Sequence, residues 1–263
     1  MTTRTILITG AAAGIGRTTA LTFAREGWTI GGYDIDEAGL ATLAAEVEAL
    51  GARAITGRLD VTDADAFAAA VDGFVEQTGR LDVLVNNAGI LRAGQFVDMS
   101  VATHHLEIDI NVKGVVNGAH AGFRHLKATP GSVMVNLASA SAIYGQAELA
   151  NYSATKFFVR GLSEALDLEW GAHGIRVVAI WPLFVETAMT ADIATGTTDT
   201  LGIRLGPQDV ANTIRAAVEP STVRRTLHQV HYPVGTQSTV LSLGSRFSPA
   251  WLTRLVNKRL AHS

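Results

Sequence analysis

Tyr152 and Lys156 stand four apart in a stretch with helical patterning, so on a helix their side chains project from one face on successive turns. A tyrosine phenol, with a pKa of about 10, is a poor base at neutral pH, but a neighbouring ammonium stabilises the phenolate and lowers that value. Lys156 is therefore expected to make Tyr152 a usable acid/base group. The same spacing also arises on ordinary helix surfaces, where it is only a contact. Ser139 lies 13 positions before Tyr152, just past the apolar stretch Ser132–Leu137, where its hydroxyl can hold a substrate oxygen. No Gly-x-Ser-x-Gly elbow surrounds it, so it is not read as a hydrolase nucleophile. Asn111 follows Met99 in a long helical stretch, and a buried amide there either stabilises local backbone or joins a proton relay.

A second group of residues could hold a dinucleotide. Thr9-Gly10-Ala11-Ala12-Ala13-Gly14-Ile15-Gly16 follows an apolar strand and leads into a helical pattern through Phe23. Gly10 permits a tight turn, Gly14 lets backbone approach a pyrophosphate, Gly16 allows close helix packing, and the helix N-terminus faces the negative charge. A glycine cluster alone marks a turn as readily as a cofactor, and the strand-then-helix context favours the cofactor. Asp34 ends the second strand, 18 positions beyond Gly16, where an acid accepts hydrogen bonds from an adenosine ribose and repels a 2'-phosphate. Neither Ala13 nor Ile35 supplies the positive charge that NADP would want, so NAD is expected over NADP.

These residues need a frame. Strand-like segments recur at Arg4–Thr9, Thr29–Tyr33, Arg53–Leu59, Leu81–Val85, Ser132–Leu137 and Arg176–Ile180. Between them lie helical patterns: Leu40, Leu43, Ala44, Val47 and Leu50 behind a cap at Asp36, then Thr103–Lys127 and Tyr152–Trp170. Parallel neighbours need crossovers and helices supply them, so the expected fold is α/β, a doubly wound parallel sheet in a single domain. With apolar residues at 48% and charged ones at 17%, 263 residues suffice for a large core and exclude a disordered chain. The absence of cysteine excludes disulfides and thiolate metal sites. His104 and His105 are adjacent and point to different helix faces, so no metal is expected. Neither a secretion leader nor an apolar run of about 20 residues is found, and a soluble, cytoplasmic protein is expected.

Taken in order, Thr9-Gly-x-x-x-Gly-x-Gly16, Asp60-Val61, Asn86-Asn87-Ala88-Gly89, Asn111, Ser139 and Tyr152-x-x-x-Lys156 resemble the short-chain dehydrogenase/reductase family, over residues 4 to 190. The resemblance implies a Rossmann fold and an oxidoreductase that interconverts an alcohol and a carbonyl. It implies that Asp60 and Val61 flank the adenine and that Asn87, Ala88 and Gly89 border the cofactor. It carries the catalytic roles to Ser139, Tyr152 and Lys156, with Asn111 holding a water that extends the proton path from Lys156. Val185 and Thr187 fall at nicotinamide-contacting positions after Pro182. The family usually has Pro-Gly there; Leu183 departs from it and puts the local loop shape in doubt.

The stretch 183–205 is read as a lid, and with Phe184, Met189, Ile193, Leu201 and Ile203, plus Ile143, Tyr144 and Leu149 before Tyr152, it suggests an apolar substrate. Residues 1–219 carry 15 basic and 24 acidic side chains, whereas residues 220–263 carry six basic and none acidic. From Pro249 on, Trp251, Leu252, Leu255, Val256 and Leu260 would form an apolar stripe beside basic residues in the extension 235–263. Such a stripe is expected to pack on the domain or on a partner subunit of a homodimer or homotetramer; weak contact with an anionic membrane surface is the alternative. No nucleic acid is expected. Two other functions compete: an NADPH-dependent ketoreductase of acyl chains, for which the positive charge is lacking, and a catalytically silent dinucleotide-binding regulator.

Overall fold

The structure is a computed structural model that describes residues 3–187, 189, 202, 205–247, 249, 251, 254–255 and 258. Contiguous apolar runs build the central strands, because a parallel strand there is covered on both faces. Strands β1 (Thr5–Thr9), β2 (Thr29–Asp34), β3 (Ala54–Arg58), β4 (Val83–Asn86), β5 (Val133–Leu137), β6 (Arg176–Trp181) and β7 (His231–Pro233) form one sheet in the order β3-β2-β1-β4-β5-β6-β7. Every pairing is parallel. The six expected strands are present within one or two residues at either end. The seventh, three residues ending in a proline at the sheet edge, is too short to show a periodicity.

Side chains alternate across the sheet, and the alternation assigns the helices. Ile6 and Ile8 of β1 pack with Phe23 of α1 (Gly14–Ala24), Leu43 of α2 (Glu37–Ala49) and Ile214 of α7 (Pro207–Val218). Leu7, between them, packs on the other face with Phe67 of α3 (Ala64–Thr78), Leu126 of α5 (Gly114–Ala128) and Trp170 of α6 (Ala150–Gly171). Asp36 caps α2 as expected, accepting from Gly39 N–H at 3.1 Å. The chain is thus a doubly wound sheet with helices on both faces.

The stretch Thr103–Lys127 is not one uniform helix. It is α4 (Val101–Ile108) followed by α5, joined by a π-helical turn over Asp109–Lys113 that contains Asn111. A π turn adds a residue to the helical count and re-aims the side chains beyond it, which a periodicity cannot reveal.

The strand order reverses between β1 and β4, and a crevice opens there at the carboxyl ends of the strands. Most of the lid stretch, including Ile193, Leu201 and Ile203, lies outside the described residues. Its root is anchored: Val185 bridges Leu205, and Glu186 N–H donates to the Leu205 carbonyl at 2.8 Å.

The C-terminal region holds α8 (Thr222–Thr226) and α9 (Gly235–Phe247), the second upstream of the helix start read at Pro249. Trp251 and Leu255 are 68% and 43% exposed, so these two are not covered by their own domain, and Leu252, Val256 and Leu260 lie outside the described residues. Among the described residues no helix is long and apolar enough to cross a membrane.

Candidate active site and cofactor cleft

One cavity of about 700 Å³ occupies the crevice. Its walls come from the carboxyl end of every strand from β1 to β6 and the segment that follows: Gly10, Gly14 and Ile15, then Asp34, Asp60 and Val61, Asn87 to Gly89, Ser139, and Pro182, Val185 and Thr187, with Tyr152 and Lys156 from α6. Of the site residues read from the sequence, Gly16 and Asn111 do not line it.

Gly16 acts one layer behind. A Cβ there would meet the Gly10 carbonyl oxygen at 2.0 Å, so only glycine lets α1 start against the turn. Gly10 and Gly14 have φ of 66° and 52°, in the left-handed region. Thr9 and Asn87 lock the turn to the central strands: Thr9 Oγ1 accepts from Asn87 N–H and Ala88 N–H, both at 3.1 Å. Asn87 Nδ2 donates to the Thr9 and Gly10 carbonyls at 2.9 and 3.0 Å. Thr9 was part of the motif, but its side chain had no expected role.

The residues present fit a dinucleotide. The N-cap of α1 is Ala13, whose side chain offers the helix amides no acceptor, which leaves this N-terminus suited to a phosphate. Asp34 is braced: Oδ2 accepts from Ala12 N–H at 3.0 Å and Oδ1 from Asp36 N–H at 3.2 Å. Beside it, Ile35 is 64% exposed and brings no charge. Thr62 donates to Asp60 from its N–H at 2.9 Å and its hydroxyl at 2.7 Å, holding that carboxyl below its ordinary pKa. Asn117 Nδ2 holds the Val61 carbonyl at 2.9 Å, a contact with no local sequence signal. At the other side, Thr187 Cγ2 approaches to 3.4 Å of the position a Gly14 Cβ would take, so the lid root closes on the glycine turn.

Tyr152 and Lys156 lie in the first turns of α6, both buried. Lys156 Nζ donates to the Leu137 carbonyl at 2.9 Å and stands 5.5 Å from the centre of the Tyr152 ring. Burial pushes the Tyr152 phenol up to about 12; the Ser139 hydroxyl draws it down and the Glu107 charge adds to the rise. Burial likewise pushes Lys156 down to about 8, against the upward pull of Glu107. Burial thus sets the net direction for both groups, with the ammonium held on the β5 carbonyl of Leu137.

Ser139 N-caps a short 3-10 turn, accepts from Ser141 N–H at 3.1 Å and donates to Ser141 Oγ at 3.2 Å. Asn111 is fully engaged with protein: Oδ1 accepts from Ile90 N–H at 2.9 Å, and Nδ2 donates to the Ile90 carbonyl at 2.8 Å and to Thr155 Oγ1 at 3.2 Å. It shapes the cavity wall through the Ile90 peptide. Leu183 adopts no left-handed conformation and is buried with Phe184 and Leu91, so the departure from Pro-Gly is absorbed by packing.

Some apolar residues expected in the pocket stand behind it. Ile143, Tyr144 and Leu149 are buried but do not line the cavity; Phe184 and Met189 do. Ser141, Gln146 and Glu107 were missed. Ser141 and Gln146 face the cavity beside Ser139. Glu107, 1% exposed, accepts from Arg92 N–H at 3.0 Å and Asn151 Nδ2 at 2.7 Å. His104 is buried, stacked on Phe96 and bonded through Nε2 to the Phe96 carbonyl at 2.9 Å.

Comparison with known proteins agrees with this geometry. The short chain dehydrogenase family model matches residues 4–198. The 3-oxoacyl-[acyl-carrier-protein] reductase FabG of Thermotoga maritima is 38% identical over 214 residues, covering 79% of this chain and 87% of that protein. Oxidoreductase UcpA of Escherichia coli is 40% identical over 196 residues, 74% of each chain. Among solved structures, a short chain dehydrogenase from Mycobacterium paratuberculosis bound to NAD superposes with a TM-score of 0.81 at 29% identity, covering 90% of this chain and 97% of that one. Carveol dehydrogenase from Mycobacterium avium in complex with NAD gives 0.80 at 29% identity, covering 89% and 96%. The chain belongs to the short-chain dehydrogenase/reductase family, and so to the NAD(P)-dependent oxidoreductases that act on CH–OH groups.

Proposed function

We propose that the protein is an NAD-dependent oxidoreductase that interconverts an alcohol and a carbonyl on a largely apolar substrate, with Tyr152 as general acid/base. One observation carries this reading: a single cavity holds the braced Asp34 at the end of β2 and the Ser139, Tyr152 and Lys156 group at β5 and α6. Those strands are three spacings apart, roughly 14 Å, a span suited to a ribose at one end and a reacting carbon at the other. The two NAD-bound neighbours support the cofactor assignment.

When bound, the nicotinamide supplies the hydride acceptor for oxidation and the hydride donor for reduction. Gly10, Gly14 and Ile15 would hold the pyrophosphate, Asp34 the ribose, and Pro182, Val185 and Thr187 the nicotinamide side. The Ser139 hydroxyl holds the substrate oxygen. Tyr152 takes the proton from that oxygen in oxidation and returns it in reduction. Lys156 places positive charge behind the phenol, and Asn111 keeps the Ile90 wall in position.

Likeness to a 3-oxoacyl reductase favours a second reading, reduction of carrier-bound acyl ketones. Asp34 and the uncharged Ile35 oppose the NADPH version of it. The test is NADH or NADPH formation followed by absorbance over a panel of short polar and bulky apolar alcohols. NADH formation on the apolar members supports the proposal; cofactor binding without turnover on any member indicates the regulator, and a preference for NADP overturns the cofactor assignment.

A further inference from the structure

The cavity carries a cation that the reaction above does not use. Among the described residues that line it, only Lys156 and Arg92 are basic. Lys156 is buried on the Leu137 carbonyl. Arg92 is exposed, and its guanidinium has no hydrogen bond, ion pair or ring contact among the described residues. The nearby acids do not take it up. Glu107 accepts from the Arg92 main-chain N–H at 3.0 Å, but the positive charges that act on its carboxyl are His104 and Lys156, so the guanidinium is turned away from it. Asp109, on the same wall, is paired with Lys113 at 2.5 Å. Asp34 and Asp60 belong to β2 and to the segment after β3, beyond β1 from the β4 segment that carries Arg92.

A solvated arginine is ordinary on a protein surface, but this one stands on a fixed base. Its segment is pinned at every second residue: Asn111 holds the Ile90 peptide, Glu107 holds Arg92 N–H, and Gly94 N–H donates to the Glu148 carbonyl at 2.9 Å. The Arg92 backbone therefore stays beside the cavity while its flexible stem can follow a ligand. Leu91, one residue earlier, packs with Tyr152, Leu183 and Phe184 in one buried cluster. Leu106 and Met189 also line the cavity and are 47% and 44% exposed, so they mark its rim. Outward from Tyr152 the wall is thus apolar first and cationic at its open end. Residues 1–219 carry 24 acidic against 15 basic side chains, so an anion approaching this surface meets net repulsion and needs a local cation to hold it.

We infer that Arg92 binds an anionic group of the substrate, so that the substrate is a ketone or alcohol whose apolar chain ends in a carboxylate or a phosphate. This rests on the alcohol–carbonyl reading above. The guanidinium presents paired N–H donors that match either oxyanion. At an open rim the anion keeps part of its hydration, while the chain between it and the reacting carbon loses water against Leu91, Leu183, Phe184 and Met189.

The experiment uses three keto acids of increasing length, 5-oxohexanoate, 7-oxooctanoate and 9-oxodecanoate, each beside its uncharged methyl ester, and 8-hydroxyoctan-2-one beside its phosphate monoester. Affinity is measured by calorimetry with NAD present, so that no hydride is available, and kcat/KM is measured separately with NADH. The wild type is expected to favour at least one anion over its uncharged partner by about tenfold, and the ratio should shrink as salt is raised, because the rim is open to solvent. Arg92→Gln should bring the ratio to near one and Arg92→Glu below one, while Arg92→Lys, which keeps the charge but not the fork, should retain part of it. The larger of the carboxylate and phosphate ratios identifies the anion. A ratio near one in the wild type for every pair, no binding of any anionic probe, or a ratio that survives Arg92→Gln overturns the inference. Equal losses for charged and uncharged probes together with weaker NAD binding would place Arg92 on the cofactor and overturn it as well. An Arg92-dependent affinity ratio without turnover of any probe supports the anion site and overturns the alcohol–carbonyl reading instead.

Discussion

Glu107 Oε2 accepts a hydrogen bond of 2.7 Å from the side chain of Asn151, the residue immediately before Tyr152. The other carboxylate oxygen accepts from Arg92 N–H, two residues beyond the Ile90 peptide that Asn111 holds from one turn further along. Glu107 and Asn111 thus grip one cavity-wall segment together, and both tie it to α6, Glu107 through Asn151 and Asn111 through Thr155. Its charge faces Tyr152 and Lys156 from α6 and His104 from its own helix, and it raises the pKa of both the tyrosine and the lysine.

Glu107→Gln keeps an acceptor for Arg92 and the size of the side chain while removing the charge. Both Tyr152 and Lys156 should then titrate lower. For alcohol oxidation, which needs the phenol deprotonated, the rising limb of kcat/KM against pH should move to lower pH. A rate–pH profile of wild type and variant checks this. A uniform drop in rate with an unmoved limb would leave Glu107 a purely structural brace.

The frame of the molecule was legible because parallel strands advertise themselves: Ile6-Leu7-Ile8 must be covered on both faces, and the helices that cover it announce their own spacing. The candidate catalytic and cofactor residues that the cavity brings together were legible from motif and order. Gln146, Ser141 and Glu107 were not, because each is a single polar residue whose meaning lies in partners elsewhere in the fold, Ser139 or Asn151 and Arg92. The burial that sets the net direction for Tyr152 and Lys156 was not legible, because an i, i+4 spacing says nothing about burial or about the Leu137 carbonyl that takes the ammonium. Tyr144 read as pocket lining for a related reason: an apolar residue near the site can as well stand one layer behind it.

Tyr152→Phe keeps the buried ring and removes the transferable proton. Cofactor affinity and thermal stability should be close to wild type, while kcat falls by about 10²- to 10⁴-fold, the range of general acid–base contributions. Titration of NAD binding by fluorescence, together with steady-state rates, checks both halves. Retained turnover would remove Tyr152 from the mechanism.

Lys156→Met tests the burial of the ammonium directly. In the folded chain the lysine titrates near 8, below its ordinary 10.5. Between these values the unfolded chain binds more protons, so this group makes wild-type stability rise with pH across that window. The variant lacks that rise. Its melting temperature relative to wild type should therefore be highest near pH 7 and decline as pH passes 8 toward 10.5. A gap that does not change with pH would mean that Lys156 is not held with a depressed pKa.

Asp34→Ala combined with Ile35→Arg should reverse cofactor preference. The first change removes the carboxylate held by Ala12 and Asp36, and the second puts a guanidinium at an exposed position lining the same cavity. The expected outcome is a fall in the NAD-to-NADP ratio of kcat/KM of at least tenfold. A wild-type ratio already favouring NADP would show that the braced carboxylate does not select the cofactor.

Gly16→Ala probes the packing that brings the helix N-terminus to the cleft. The new methyl would lie 2.0 Å from the Gly10 carbonyl and 2.7 Å from Asn87 Nδ2, and the first of these is backbone that cannot swing aside. Either α1 moves away from β1 or the glycine turn opens, and in both cases Asn87 loses its hold on the Thr9 and Gly10 carbonyls. Overpacking of this kind costs about 1–3 kcal/mol, and the damage falls where the pyrophosphate would bind. Denaturant unfolding should show that loss, and NAD affinity should fall with it even in conditions where the variant is fully folded. Gly27→Ala is the matched control: Gly27 has φ 77° and nothing near its Cβ position, so it carries backbone strain without a clash and lies outside the cavity wall. A loss of NAD affinity in the control equal to that in Gly16→Ala would show that general destabilisation, rather than the contact between Gly16 and Gly10, governs cofactor binding.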